Sequence, residues 1–164
     1  MTHSFHLDLA FPTPDHTTAF AAALADQLAP GDVILLSGGI GAGKTHFARS
    51  VIQHRLAAQG RAEDVPSPTF TLVQTYDDPV CEIWHSDLYR LTHPDEVEEL
   101  GLIDAFDTAI CLVEWPDRLG ALTPQNAVHI EFSADAASDN PDLRNAQISG
   151  QADRWETRIQ KALQ

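Results

Sequence analysis

The segment spanning residues 32–59 constrains the fold more than any other part of the chain. Residues 32–37 (Asp-Val-Ile-Leu-Leu-Ser) form a short continuous apolar run, the pattern of a strand buried on both faces of a sheet. A glycine-rich turn follows at residues 38–43, and helical spacing then continues from Lys44 to about Gln59. Residues 38–45, Gly-Gly-Ile-Gly-Ala-Gly-Lys-Thr, fit the pattern G-x-x-x-x-G-K-S/T. Glycines let the backbone curl so that successive N–H groups point at one anion. The helix starting at Lys44 adds its positive N-terminal end. In this pattern the backbone of Gly41, Ala42 and Gly43 cradles phosphate, Lys44 reaches the terminal phosphates, and the Thr45 hydroxyl is a magnesium ligand. The chain has only two lysines, Lys44 and Lys161. A chance match to the pattern is therefore on the order of one in a thousand. The plain alternative, a tight turn capping an ordinary helix, does not account for the buried strand that precedes it.

Magnesium in such a site needs a second anchor, usually an acid at the end of another central strand. Glu114 ends the apolar run of residues 109–113, the position of a Walker B acid. Asp87 ends a run that begins at Val80 and continues into Leu88, Tyr89 and Arg90. A carboxylate that merely terminates a strand is the bland reading of each, and two of them beside a phosphate loop shift the balance toward function. Glu114 is accordingly assigned as the metal ligand. Asp87 is assigned to orient the attacking water or to contact the metal through its outer shell.

The rest of the chain supplies a frame for these residues. Residues 4–9 alternate as an edge strand does. Thr13 is placed to N-cap a helix with Pro14 at its first position, continuing through Phe20, Leu24 and Leu28. Residues 64–69 contain two prolines and read as a surface loop. Residues 70–76 and 80–87 read as a hairpin, and residues 94–100 as a short helix ended by Gly101. Residues 109–114 form a second central strand, closed by Trp115 and Pro116. Late strands at residues 127–132 and 143–148 flank a polar loop, and a helix with Trp155, Ile159 and Leu163 on one face follows. No repeat or domain boundary is visible. The expectation is one α/β domain over residues 1–164, P-loop NTPase-like, with a central mixed sheet flanked by helices.

Composition narrows the partners. At 164 residues with 43% hydrophobic side chains, the chain can build a core without disulfides or a structural metal. Ten Lys+Arg against twenty-four Asp+Glu give a formal charge of −14, which repels phosphate backbones. Contact with a nucleic acid is therefore expected through a more basic partner, although acidity also serves solubility. Cys81 and Cys111 lie in apolar runs and read as reduced and buried, which favours the cytoplasm. Met1 to Ala10 shows no signal peptide, and no apolar run approaches the ~18 residues of a membrane span. The eight histidines are scattered without zinc spacing and read as core or surface residues. Trp84 and Trp155 read as packing residues.

Four blocks together carry a resemblance. They are residues 41–45 with Phe47 and Arg49; residues 67–72, Ser-Pro-Thr-Phe-Thr-Leu; residues 85–91, His-Ser-Asp-Leu-Tyr-Arg-Leu; and residues 113–116, Val-Glu-Trp-Pro. The phosphate loop alone is generic, whereas the other three at these spacings are specific. Over about residues 4–133 the chain resembles the TsaE (YjeE) family, P-loop ATPases of bacterial tRNA N6-threonylcarbamoyladenosine synthesis. The resemblance implies that Lys44 and the amides of residues 41–45 hold ATP and that Thr45 and Glu114 hold Mg2+. It makes Asp87 necessary for activity and sets Trp115 close to the nucleotide. It also implies a mobile loop at residues 67–69 near the γ-phosphate, and sets Thr17 where the family places the base. TsaD and TsaB are the implied partners, with the transfer chemistry belonging to TsaD and tRNA reached through the complex rather than directly. Two positions depart from the family: His46 stands where a second hydroxyl is common, and Ser86 where an aromatic is common.

Three rivals share the phosphate loop. A small-molecule kinase usually carries a lid with clustered arginines, and the arginines here are scattered. A GTPase needs a guanine-reading N-K-x-D, and no lysine lies between Lys44 and Lys161. A non-hydrolysing nucleotide-responsive adaptor differs only in the geometry of Asp87 and Glu114.

Overall fold

The computed structural model describes residues 3–164. The elements are β1 (Ser4–Phe11), α1 (Pro14–Ala25), β2 (Val33–Gly38), α2 (Lys44–Ala57), β3 (Val73–Asp77) and β4 (Glu82–Asp87). After these come α3 (Asp95–Glu99), α4 (Leu102–Thr108), β5 (Ile110–Glu114), a 3-10 segment (Pro116–Leu122), β6 (Val128–Ala134), β7 (Arg144–Gln151) and α5 (Ala152–Ala162). The strands form one sheet in the order β1-β7-β6-β2-β5-β4-β3. Its centre, β6-β2-β5-β4, is parallel, and β1, β7 and β3 add antiparallel edges.

The continuous apolar runs lie where both faces of the sheet are covered. Ile34, Leu36, Ile110 and Leu112 face a core completed by Phe20 and Leu24 of α1, Phe47 and Val51 of α2, and Trp155 and Ile159 of α5. Val33, Leu35, Cys111 and Val113 face a second core with Val97, Leu102, Phe106 and Leu119. Alternate residues of one strand thus feed opposite layers, which is why neither run shows the polar alternation of β1.

Asp32, immediately before β2, is fully buried and holds α5 in place. Its carboxylate accepts hydrogen bonds from Arg154 Nη2 at 2.7 Å, Arg158 Nη1 at 2.6 Å and the Ala29 amide at 2.7 Å. The Trp155 indole N–H donates to the Asn126 carbonyl at 2.7 Å. A buried carboxylate is tolerated only with such partners.

Three expectations are corrected. The strand read from residue 70 begins at Val73: Leu72 has φ +70° and its amide donates to the Pro68 carbonyl at 2.7 Å, so residues 68–72 form a turn ahead of the ladder. The next strand begins at Glu82 rather than Val80, because Asp78 Oδ2 accepts the Val80 amide at 3.1 Å in the bend before it. Cys81 is only half-buried, whereas Cys111 is buried; both are free thiols. Thr13 holds the N-cap position of α1 with Pro14 following, as expected, and its hydroxyl bonds His16 Nδ1 at 2.7 Å rather than an amide. Helix α4, which no expectation covered, starts directly after Gly101, whose φ of +80° turns the chain between α3 and α4.

Candidate functional site

The glycine loop leaves β2 through backbone conformations that side chains rarely adopt, with φ +136° at Gly38, +76° at Gly41 and +118° at Gly43. At Gly38 no side chain fits, since a Cβ there would sit 2.3 Å from the Phe132 carbonyl oxygen. Gly43 delivers the chain into α2, so the first amides of that helix face the loop's concavity.

Lys44 is buried at 4% exposure, and its Nζ donates to the carbonyls of Gly38 at 2.6 Å and Gly39 at 2.7 Å. The ammonium lies 4.3 Å from the centroid of the Trp115 ring, which in turn packs on Tyr89 at 4.7 Å. Burial lowers the Lys44 pKa from the ordinary lysine value, against the opposing pull of Glu114 and Asp87. A cation held in this way gains from an incoming polyanion, which replaces carbonyl dipoles with full charge.

The two acids are brought together by strand register. β4 and β5 run parallel with Asp87 opposite Glu114, and β2 lies beside β5 with Leu36 opposite Glu114. Both carboxylates therefore sit at the carboxyl edge of the sheet beside the loop, the edge where open α/β sheets bind ligands. Glu114 is buried; its Oε1 accepts the Thr45 hydroxyl at 2.7 Å, and its Oε2 lies 2.7 Å from His85 Nε2. Asp87 is buried as well, its Oδ1 accepting the Tyr89 amide at 3.0 Å and its Oδ2 the Thr69 hydroxyl at 3.1 Å. Thr69 and Ser67 share a 2.7 Å hydrogen bond, so the proline loop is tied to Asp87 through side chains.

Gly41, Gly43, Lys44, Thr45, Asp87, Glu114 and Trp115 line one cavity of about 380 Å3, with Thr69 and Tyr89 at its wall. Thr17 and Ala42 are not in that group. They line an adjoining cavity of about 180 Å3 with Phe132, Asp142 and Arg144, and the two cavities share Gly41, Gly43 and His46. His46 Nε2 lies 3.0 Å from the Thr18 hydroxyl and 3.1 Å from the Pro14 carbonyl, which links α2 to the start of α1. Thr45, Asp87 and Glu114 offer the larger cavity hard oxygens, a hydroxyl and two carboxylates, a set that suits Mg2+ bound together with substrate phosphates.

Two site residues carry no role in the sequence reading. Tyr89 and His85 enter it only as members of a motif, His85 also among the scattered histidines. The signal for His85 is its place two residues before Asp87, which puts both side chains on one face of β4.

A parallel-centred sheet whose strand runs through a glycine loop into a helix defines a P-loop protein, a class that handles nucleotides. A family model described as "Threonylcarbamoyl adenosine biosynthesis protein TsaE" matches residues 11–143. The chain belongs to the TsaE family. It is 40% identical over 118 residues to the tRNA threonylcarbamoyladenosine biosynthesis protein TsaE of Rickettsia bellii, covering 72% of this chain and 80% of that protein. Its identity to the Bacillus subtilis protein of the same name is 39% over 118 residues, covering 71% of each chain. A crystal structure of Bacillus subtilis YdiB superimposes with a TM-score of 0.74 at 27% identity, covering 99% of this chain and 97% of the other. Among the described residues, no helix is long and apolar enough to cross a membrane.

Proposed function

We propose that the chain binds ATP with Mg2+ and hydrolyses it slowly, as a nucleotide switch on the TsaD–TsaB complex in tRNA N6-threonylcarbamoyladenosine modification. The observation that carries this reading is the convergence of the loop glycines, Lys44, Thr45, Asp87 and Glu114 on one cavity. Lys44 and the amides of residues 41–45 bind the phosphates. Thr45 and Glu114 would hold magnesium, which when bound neutralises charge on the phosphate oxygens. Asp87, already an acceptor of two hydrogen bonds, orients the attacking water and draws on its proton. Trp115 packs its ring against the Lys44 ammonium, and the cavity at Thr17 takes the base.

The switch runs through Thr69. Its hydroxyl holds residues 67–69 to Asp87, and a γ-phosphate in the cavity offers it a stronger acceptor. Loss of that phosphate returns the loop to Asp87, and the partners sense the change. Five of the eight arginines are held by other partners and line neither cavity, so they form no kinase lid. Arg55 pairs with Asp78, Arg61 with Glu63, and Arg154 and Arg158 with Asp32, while Arg49 donates to the Val65 carbonyl.

The test is ATP hydrolysis by the purified chain, alone and with TsaB and TsaD, beside Lys44→Ala. The expected result is slow basal turnover that rises with the partners and vanishes in the variant. Turnover indifferent to the partners would keep the nucleotide site and remove the switch role. Phosphate transfer to a small acceptor would replace this reading with a kinase.

A further inference from the structure

His85 has no part in the reading above, yet it is bonded to the centre of the site. The residue is fully buried on β4, and it does not line the nucleotide cavity. Its Nε2 lies 2.7 Å from Glu114 Oε2, while its Nδ1 is buried without a hydrogen-bond partner. An ionised carboxylate only accepts, so the imidazole donates from Nε2. The other Glu114 oxygen takes the Thr45 hydroxyl at 2.7 Å. Each oxygen of one buried carboxylate is thus held by a donor from a different element, α2 on the cavity side and β4 on the buried side.

Packing alone does not explain this arrangement. A leucine would fill much of the same interior volume without leaving a bare ring nitrogen away from water, which costs free energy. The two donors also differ in what an incoming cation does to them. Thr45 lines the cavity, and its hydroxyl must turn from Glu114 to offer a lone pair to a cation. The His85 bond comes from the buried side, so it need not break when a cation enters the cavity. Resting on the reading of Glu114 as a magnesium ligand, we propose that His85 is a positioning residue: it fixes the Glu114 carboxylate so that this ligand keeps its orientation when Thr45 lets go. Partners of this kind behind a metal ligand commonly govern affinity for the ion rather than for the rest of the substrate.

The test uses Mn2+ as the probe, followed by electron paramagnetic resonance as free ion is titrated into the full chain with ADP. His85→Leu is expected to weaken Mn2+ binding by about tenfold or more, with ADP affinity in EDTA unchanged. His85→Gln, whose side-chain amide can donate to the same oxygen, is expected to recover most of the loss. Mn2+ affinity unchanged in His85→Leu, or a Gln variant as weak as the Leu variant, overturns the proposal. Glu114→Gln separates the two levels. If it binds Mn2+ like the parent chain, the metal reading fails and the His85 role with it; if it is weak while His85→Leu is normal, only the His85 role fails. Should His85→Leu not fold, the parent chain decides by nitrogen-15 NMR of the imidazole. The Nε2-bound proton is expected to persist and its signal to move on adding ADP with Mg2+ but not ADP with EDTA. A signal blind to Mg2+ overturns the proposal.

Discussion

At Gly38 the chain turns out of β2 with φ +136°, and the nearest atom to an added methyl group would be backbone, the Phe132 carbonyl oxygen of the neighbouring strand. Neither the strand nor the carbonyl can move aside cheaply, because both belong to the central parallel ladder. Gly38→Ala is therefore expected to lower the unfolding free energy by about 2–4 kcal/mol, read by urea denaturation, and to weaken nucleotide binding as the loop distorts. Gly39 provides the control: nothing lies within 4 Å of a Cβ there and its φ is not positive, so Gly39→Ala is expected to leave stability nearly unchanged. Lys44, Thr45, Asp87 and Glu114 are readable from the sequence because each signal is local: a loop pattern, or an acid at the end of an apolar run. His85 is not, since its partner lies 29 residues away on another strand and only the register of β4 against β5 brings them together.

At the scale of elements, the buried-strand runs are legible because length and apolar continuity suffice to mark them. The boundaries that differ do so where a local turn captures the backbone, through Leu72 at φ +70° before β3 and through a side chain before β4. Asp78 is the clearest case, binding the Val80 amide and receiving two hydrogen bonds from Arg55, at 3.1 and 2.9 Å. Helix α4 escapes a sequence reading because its seven residues span barely two turns, too few for a period to show. The Asp78–Arg55 pair, which ties the hairpin to α2, also makes a pH prediction. Burial pushes the Asp78 carboxyl up, but the bonds from Arg55 and the Val80 amide outweigh it and leave the pKa below the ordinary aspartate value. A folded-state pKa below the unfolded one stabilises fully above the unfolded value, about 3.9, and the contribution fades as pH falls through the folded value. Asp78→Asn should accordingly cost about 2 kcal/mol at pH 7, with the gap to the parent chain narrowing below about pH 4. Urea unfolding across that range checks it, and a gap that widens on acidification would contradict the assignment.

For the whole molecule, the formal charge of −14 sets the terms of any encounter with tRNA. Repulsion from a phosphate backbone is long-ranged at low salt, so the purified chain is expected not to shift tRNA in a gel, and to join a tRNA complex only when TsaB and TsaD are present. Direct binding that weakens steeply with salt would show a basic face that the overall charge conceals. The distribution of labour within the fold is uneven in a further respect. The family match covers residues 11–143 and so stops before β7 and α5, which lend the larger cavity no side chain. Yet Arg154 and Arg158 of α5 clamp Asp32, the residue that leads into β2 and so into the glycine loop. In genetic terms, a screen for inactive alleles should therefore recover changes in this last helix, and their position would mislead anyone who mapped function by proximity to the nucleotide.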